Sequence, residues 1–238
     1  GKDSGSFNIA RGVRQGCVIS PVLFIIVLDQ IIQRTNATAR NGIQWTLQEK
    51  LHDLDYADDI CLMSHTFSGI QEKLNELATN AESVGLKINI KKTKLVRIGS
   101  SCETPLMLHG VQVEDVEKLC YLGSLLCKDG GTEADIKSRI DKARQSYIAL
   151  GNVWRSNHLS TPLKLRLFSS NVKPVLLYGC ETWKVTDGTT KQLQTFINKC
   201  LKRICKIFWP NWITNEDLLR QTGQIPIAAE IRRRKWGW

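Results

Sequence analysis

The sequence predicts an α+β fold, an antiparallel sheet backed by helices over the first half followed by an all-helical, basic second half. Up to residue 125, short apolar stretches alternate with helical patterns, and several links between strand signals are too short for a crossover. After the turn-prone Lys128-Asp129-Gly130-Gly131 only helical periodicity remains. The charge divides at the same place: residues 1–125 carry 13 Lys+Arg against 14 Asp+Glu, and residues 126–238 carry 20 against 9. The expected units are therefore residues 1–127 and 128–238. The chain begins at Gly1 and stops at Trp238 within a helical pattern, so both ends read as cut and the fold as incomplete at both ends.

Ser20-Pro21 opens the first helix, serine as N-cap and proline at the first helical position. Val22 to Leu28 is apolar all round, which predicts a buried helix. Apolar stretches at Leu51–Tyr56 and Ile60–Met63 flank Ala57-Asp58-Asp59, a hairpin turn. An amphipathic helix follows with Ile70, Leu74, Leu77, Ala81 and Val84 on one face, closed by Gly85. Leu86, Ile88 and Ile90 alternate with polar residues, predicting a half-buried strand. Further strand signals come at Leu95–Ile98, Leu106–His109, Val111–Val113 and Leu119–Leu122.

In the second half, Thr132 with Asp135 suggests a capping box before a helix with Ile136, Ile140, Ala143, Tyr147 and Leu150 inward. Thr161-Pro162 opens another helix. A third starts near Thr189, with Leu193, Phe196, Ile197, Cys200, Leu201, Ile204 and Phe208 apolar and Lys199, Lys202, Arg203 and Lys206 together on the opposite face. Pro226 starts the last helix, which ends in Arg232-Arg233-Arg234-Lys235.

The chain has 238 residues, 42% hydrophobic and 24% charged, enough for one large domain or two small ones. Its eight cysteines form no CxxC pair, so they are expected to be reduced thiols in an intracellular protein rather than zinc ligands. The apolar run Val22–Leu28 falls far short of the roughly 20 residues needed to cross a bilayer, and no secretory signal is visible, so no membrane role is expected. The net charge of +10, concentrated in the second half, suits a polyanionic partner or a solvated basic surface.

Asp58-Asp59 carries the chemistry. Two adjacent carboxylates in a tight turn repel one another, and a pair of divalent cations relieves that repulsion. Two metals roughly 3.5–4 Å apart clamp the attacking and leaving oxygens of a phosphoryl transfer, and Mg²⁺ suits a site of a few carboxylates plus substrate phosphates. An ordinary solvated turn has the same dipeptide, so the neighbouring segments decide. In order along the chain these are Arg11-Gly12-Val13-Arg14-Gln15-Gly16-Cys17-Val18-Ile19-Ser20-Pro21-Val22-Leu23-Phe24, Tyr56-Ala57-Asp58-Asp59, Gly85-Leu86-Lys87-Ile88-Asn89-Ile90-Lys91-Lys92-Thr93-Lys94, Tyr121-Leu122-Gly123 and Tyr178-Gly179-Cys180-Glu181-Thr182-Trp183. Together they resemble the reverse transcriptases of retrotransposons that lack long terminal repeats, over nearly the whole chain.

The resemblance implies a right-hand polymerase palm, partial over residues 1–127, followed by a helical thumb and downstream region over 128–238. It implies an RNA-directed DNA polymerase using two Mg²⁺ ions, an RNA template, a DNA primer and deoxynucleoside triphosphates. By resemblance Asp58 is a metal-ligating catalytic carboxylate and Asp59 its partner. Lys92, seven residues after Gly85, approaches the phosphates of the incoming nucleotide as electrostatic stabiliser or acid for the leaving pyrophosphate. Arg14, Gln15, Gly16 and Tyr56 fall in the nucleotide- and template-binding segments, where Gly16 lets the main chain approach a nucleotide closely. Tyr121-Leu122-Gly123 corresponds to the primer-grip segment. Lys199, Lys202, Arg203 and Lys206 are the candidate face for the nucleic-acid backbone.

These enzymes need a further aspartate upstream of the glycine motif, and neither Asp3, Asp29, Asp53 nor Asp55 fits that place. The metal site is therefore expected to be incomplete, the isolated chain inactive, and the missing N-terminal part of the same polyprotein its natural complement. A non-catalytic nucleic-acid-binding remnant or domesticated retroelement protein is the alternative, and a group II intron maturase shares the palm. An enzyme of this kind must reach chromosomal DNA, which suggests nucleus and cytoplasm.

Overall fold

The computed structural model describes residues 16–38 and 42–237, and these divide into two compact units, the described residues up to 95 with 100–116 and residues 96–99 with 117–237. Helices and short strands alternate in the first and helices dominate the second, a mixed α+β composition.

In the first unit, helix α1 (Ser20–Thr38) packs against α2 (Phe67–Ser83) through Ile31, Leu77 and Ala81. Thr66 caps α2 by accepting from the Gly69 N–H at 3.2 Å. Its buried stripe of Leu74, Leu77, Ala78 and Ala81 follows the expected periodicity. Val84 lies past the last turn and is exposed. The expectation that α1 is buried all round is corrected: Leu28, Ile31 and Ile32 are buried, but Val22, Leu23, Ile25 and Ile26 are each at least half exposed. Among the described residues α2 is the helix packed on α1, and it covers one side only.

The strands are two to four residues long and pair only in twos among the described residues, so the single antiparallel sheet expected from the sequence is not formed there. β1 (Ile43–Gln44) pairs with β2 (Lys50–Leu51), β3 (Asp53–Tyr56) with β4 (Asp59–Leu62), and β6 (Met107–Leu108) with β7 (Val111–Gln112), all antiparallel. β5 (Lys94–Leu95) pairs parallel with β8 (Glu114–Asp115), which is possible because the β6–β7 hairpin lies in the long link between them. Leu86–Ile90 forms no ladder. Its alternation is nonetheless real, since Leu86, Ile88 and Ile90 are partly buried against the cores under α2.

The second unit opens with the hairpin of β9 (Lys118–Tyr121) and β10 (Ser124–Cys127), which folds with the helices that follow. These are α3 (Glu133–Ala149), α4 (Gly151–Arg155), α5 (Thr161–Leu167), a π-helical turn (Phe168–Val172), α6 (Lys173–Leu176), a 3₁₀ turn (Cys180–Thr182), α7 (Asp187–Ile204), α8 (Asn215–Thr222) and α9 (Ile227–Trp236). One core joins them, with Ile136, Phe168, Val172, Leu176, Leu177, Cys180, Leu193, Leu201 and Leu218 fully buried. Burial pushes the Cys180 and Cys200 thiols up to about 12, as inert core thiols should be.

The capping box expected at Thr132 is absent: its backbone is helical, its hydroxyl donates to the Lys184 carbonyl, and Asp135 is drawn to Leu125 and Trp183. A capping box does open α7, where Thr186 and Thr189 bond reciprocally. Phe208 lies beyond α7 and is exposed.

Buried charge in this unit is answered locally. The Lys164 ammonium donates to the Trp154 and Ser156 carbonyls at 3.0 and 2.6 Å. Lys173 reaches Gln224 at 2.9 Å and the Glu230 carboxylate, which pins α9 to α6. Because Leu193 has no exposed surface at the centre of this core, Leu193→Ala should cost about 2–5 kcal/mol in chemical denaturation.

Candidate functional site

Register places the paired aspartates at the tip of the β3–β4 hairpin. Tyr56 pairs with Asp59, leaving Ala57 and Asp58 as a two-residue loop. Ala57 adopts φ +55°, the left-handed conformation that a two-residue loop needs at its first position and that alanine resists. Asp58 therefore stands in the turn and Asp59 begins β4. Both side chains are exposed, as is Tyr56. Among the described residues, none hydrogen-bonds or ion-pairs with either carboxylate. The turn thus presents two unengaged hard-oxygen groups, the donor type that Mg²⁺ takes. No group of three His, Cys, Asp or Glu among the described residues is placed to hold one ion, so the turn supplies part of a coordination shell.

The other end of the hairpin is fixed by a residue that the sequence reading passed over. Lys73 of α2 has no exposed surface. Its ammonium donates to the His52 carbonyl at 3.1 Å and the Met63 carbonyl at 2.8 Å, and lies 3.3 Å from His52 Nδ1. His52 and Met63 face one another just below the Asp53–Leu62 pair, where the Met63 N–H also donates to the His52 carbonyl. Burial lowers the Lys73 pKa, and the Asp53 carboxylate opposes that shift. Asp53 itself accepts from the Asn36 side chain, which ties β3 to α1. The legible signal was position, since Lys73 falls in the apolar stripe of α2, three residues after Ile70 and four before Leu77.

Lys92 is exposed in a turn stapled by Asn89, whose carbonyl accepts from the Lys92 and Thr93 N–H groups, each at 3.0 Å. Among the described residues, no hydrogen bond or ion pair joins Lys92 to the aspartates. Gly16 has φ +84°, and a Cβ there would meet nothing within 4 Å. Within the described structure it is backbone conformation, not close approach, that calls for glycine. Arg14 and Gln15 lie outside the described residues. At Cys17, a hydrogen bond from Ser20 and main-chain bonds at Ile19 and Ser20 lower the thiol pKa.

Lys199 and Arg203 are exposed on α7 and Lys202 is half-buried beside them. Lys206 lies past the helix end at φ +56°, its ammonium donating to Asn157 at 2.7 Å. No helix among the described residues is long and apolar enough to cross a membrane.

Residues 1–126, which include the aspartate turn, match the family model described as reverse transcriptase (RNA-dependent DNA polymerase). The chain belongs to the reverse transcriptase family. A second model, described as a domain of unknown function, matches residues 146–178. The chain is 27% identical to a transposon-derived protein of Caenorhabditis elegans, over 79% of this chain and 70% of that protein. It is 26% identical to a Pol polyprotein from the type-1 retrotransposable element R2 of Popillia japonica, over 85% of this chain and 29% of that protein. It is 25% identical to the RNA-directed DNA polymerase from mobile element jockey of Drosophila melanogaster, over 84% of this chain and 22% of that protein. This reverse transcriptase chain therefore resembles polymerases of retrotransposons lacking long terminal repeats and spans less than a third of the two polymerase relatives.

Two outcomes follow from the hairpin. Relieving the left-handed strain with Ala57→Gly should stabilise the first unit by about 1 kcal/mol in denaturant titration. Burial and the nearby Lys73 ammonium lower the His52 pKa, so the folded chain binds a proton there less readily than the unfolded chain. This contribution to stability is full above the ordinary histidine pKa of 6.5 and is lost as pH falls through the lowered folded value. Melting of the first unit followed from pH 7.5 to 5 should show the loss, and His52→Gln should remove it.

Proposed function

We propose that this chain carries the catalytic turn, nucleotide-approach segment and primer-holding segment of a retrotransposon RNA-directed DNA polymerase. The observation that supports it most directly is the Tyr56-Ala57-Asp58-Asp59 hairpin, an exposed carboxylate pair on a strained two-residue loop with its base fastened by a buried lysine. Strain of this kind persists where the surrounding structure over-determines it, and it concentrates at functional sites.

In this reading Asp58 and Asp59 hold Mg²⁺, which when bound supplies the charge that stabilises the attacking and leaving oxygens. Lys92 stabilises, or donates a proton to, the departing pyrophosphate. Arg14, Gln15, Gly16 and Tyr56 position template and nucleotide. Tyr121-Leu122-Gly123 holds the primer end, in a palm over residues 1–127. Residues 128–238 act as thumb, with Lys199, Lys202, Arg203 and Lys206 contacting the backbone of the RNA–DNA duplex without sequence preference. Two carboxylates bind a metal pair weakly, so the chain alone is inactive and needs the preceding part of its polyprotein. Nucleus and cytoplasm are the places where such an enzyme meets its RNA and its chromosomal target.

Primer extension on an RNA template with Mg²⁺ tests this. The 238-residue chain should give no product, and a chain extended toward the length of the relatives should give product that Asp58→Ala abolishes. Synthesis that survives Asp58→Ala overturns the assignment. A longer chain that binds duplex but never extends a primer favours the nucleic-acid-binding remnant, a reading the basic second half also supports. Duplex affinity should fall with salt at a slope of about −0.9 per phosphate contacted, reduced by about 1 to 2 in Lys199→Ala/Arg203→Ala.

A further inference from the structure

We propose that Arg139 and Tyr178 are positioning residues that hold the Leu122–Gly123 turn for contact with a primer phosphate, an inference resting on the primer-holding reading of that turn. In the β9–β10 hairpin, Tyr121 pairs with Ser124, so Leu122 and Gly123 form the whole loop. Both are left-handed, at φ +47° and +82°. Glycine suits that geometry and leucine does not. Leu122 is 40% exposed, so core packing does not impose its conformation.

Two side chains do. The Tyr178 hydroxyl donates to the Leu122 carbonyl at 2.9 Å, and Arg139 Nη2 donates to the Gly123 carbonyl. Each carbonyl of the loop thus has its own donor. The donors also hold each other, because the Arg139 guanidinium lies 4.3 Å from the Tyr178 ring centroid. Arg139 is buried above Asp135, whose Oδ1 is 3.9 Å from Arg139 Nε and accepts from the Leu125 N–H at 3.0 Å. The second Asp135 oxygen accepts from the Trp183 indole at 2.8 Å.

The Tyr178-Gly179-Cys180-Glu181-Thr182-Trp183 segment, which the proposed function leaves without a role, is accounted for by this contact. Tyrosine supplies the hydroxyl and tryptophan the indole N–H. Gly179 is left-handed at φ +73°, a conformation that favours glycine, and a Cβ there would lie 2.8 Å from Ser124 Oγ, so that hydroxyl would have to turn away. Thr182 closes the turn by donating to the Gly179 carbonyl.

With both carbonyls engaged, the loop's remaining main-chain groups are the Leu122 and Gly123 N–H donors, which no hydrogen bond takes among the described residues. Two successive N–H groups at a left-handed turn form the kind of concavity that accepts an anion. A phosphate of the primer strand is the ligand this chemistry fits.

Tyr178→Phe is the test, since it removes the hydroxyl from a half-exposed side chain and leaves the ring over Arg139. Hydrogen exchange of the 238-residue chain should show amides of residues 118–127 about 3- to 10-fold faster, with α7 unchanged. Fluorescence anisotropy with an RNA–DNA hybrid carrying a recessed DNA 3′ end, against a blunt hybrid of equal length, gives the second readout. Wild type should prefer the recessed end, and Tyr178→Phe and Arg139→Lys should lose that preference while binding the blunt hybrid unchanged. Unchanged exchange, or equal loss on both hybrids, overturns the positioning role. A wild-type chain that does not distinguish the hybrids overturns the primer-holding reading, and this proposal with it, even where exchange quickens.

Discussion

Lys73 has no exposed surface, and the cost of removing its ammonium from water is offset by main-chain carbonyls on the two strands of one hairpin. That bond set fixes where the Tyr56–Asp59 turn begins and ends. A four-residue strand pair is too short to keep its own register against a left-handed alanine at its tip, so the base must be held from outside. The Asn36–Asp53 bond adds a second tie from α1. The exposed carboxylates are thus presented by a loop whose flexibility is taken up elsewhere, which is what a metal site assembled from several segments requires.

The β9–β10 hairpin in the other unit meets the same problem with different residues. Its loop is also two residues long and also places a non-glycine residue in the left-handed region. There the cation is Arg139, and its hydrogen bond is to the loop itself rather than to the base. In both hairpins a buried basic side chain donates to carbonyls that β-pairing leaves with spare lone pairs. Burying a charge in this way is expensive, and a carbonyl pair or an aspartate beneath it keeps the charge from being orphaned.

The exposed apolar face of α1 sets the first unit apart from the second. Val22, Leu23, Ile25 and Ile26 stand in water on a helix whose opposite side is well packed. The second unit has a single continuous core that draws on nearly every helix, and its buried lysines are all bonded. Helical periodicity therefore marks the buried stripe faithfully where neighbours exist, as in α2 and α7. In α1 an all-round apolar run misleads, because burial depends on how many faces find a partner.

The residue order alone determined the positions of α1, α2, α3, α5, α7 and α9, the hairpin at Asp58-Asp59 and membership of the reverse transcriptase family, because these rest on local periodicity, turn chemistry and linear motifs. The shorter α4, α6 and α8 left too few turns for a periodic signal. Lys73 was half legible, a lysine inside an apolar stripe, but nothing local says which carbonyls it meets. The sheet was not legible: alternation at Leu86–Ile90 marks sidedness, and a ladder needs a partner strand that tertiary packing brings or withholds. The capping role expected of Thr132 went the same way, since Asp135 found stronger partners in Leu125 and Trp183. Only the tertiary structure joined Arg139 and Tyr178 to a turn far upstream of Tyr178, because hydrogen bonds between distant segments leave no periodic trace in the chain that makes them.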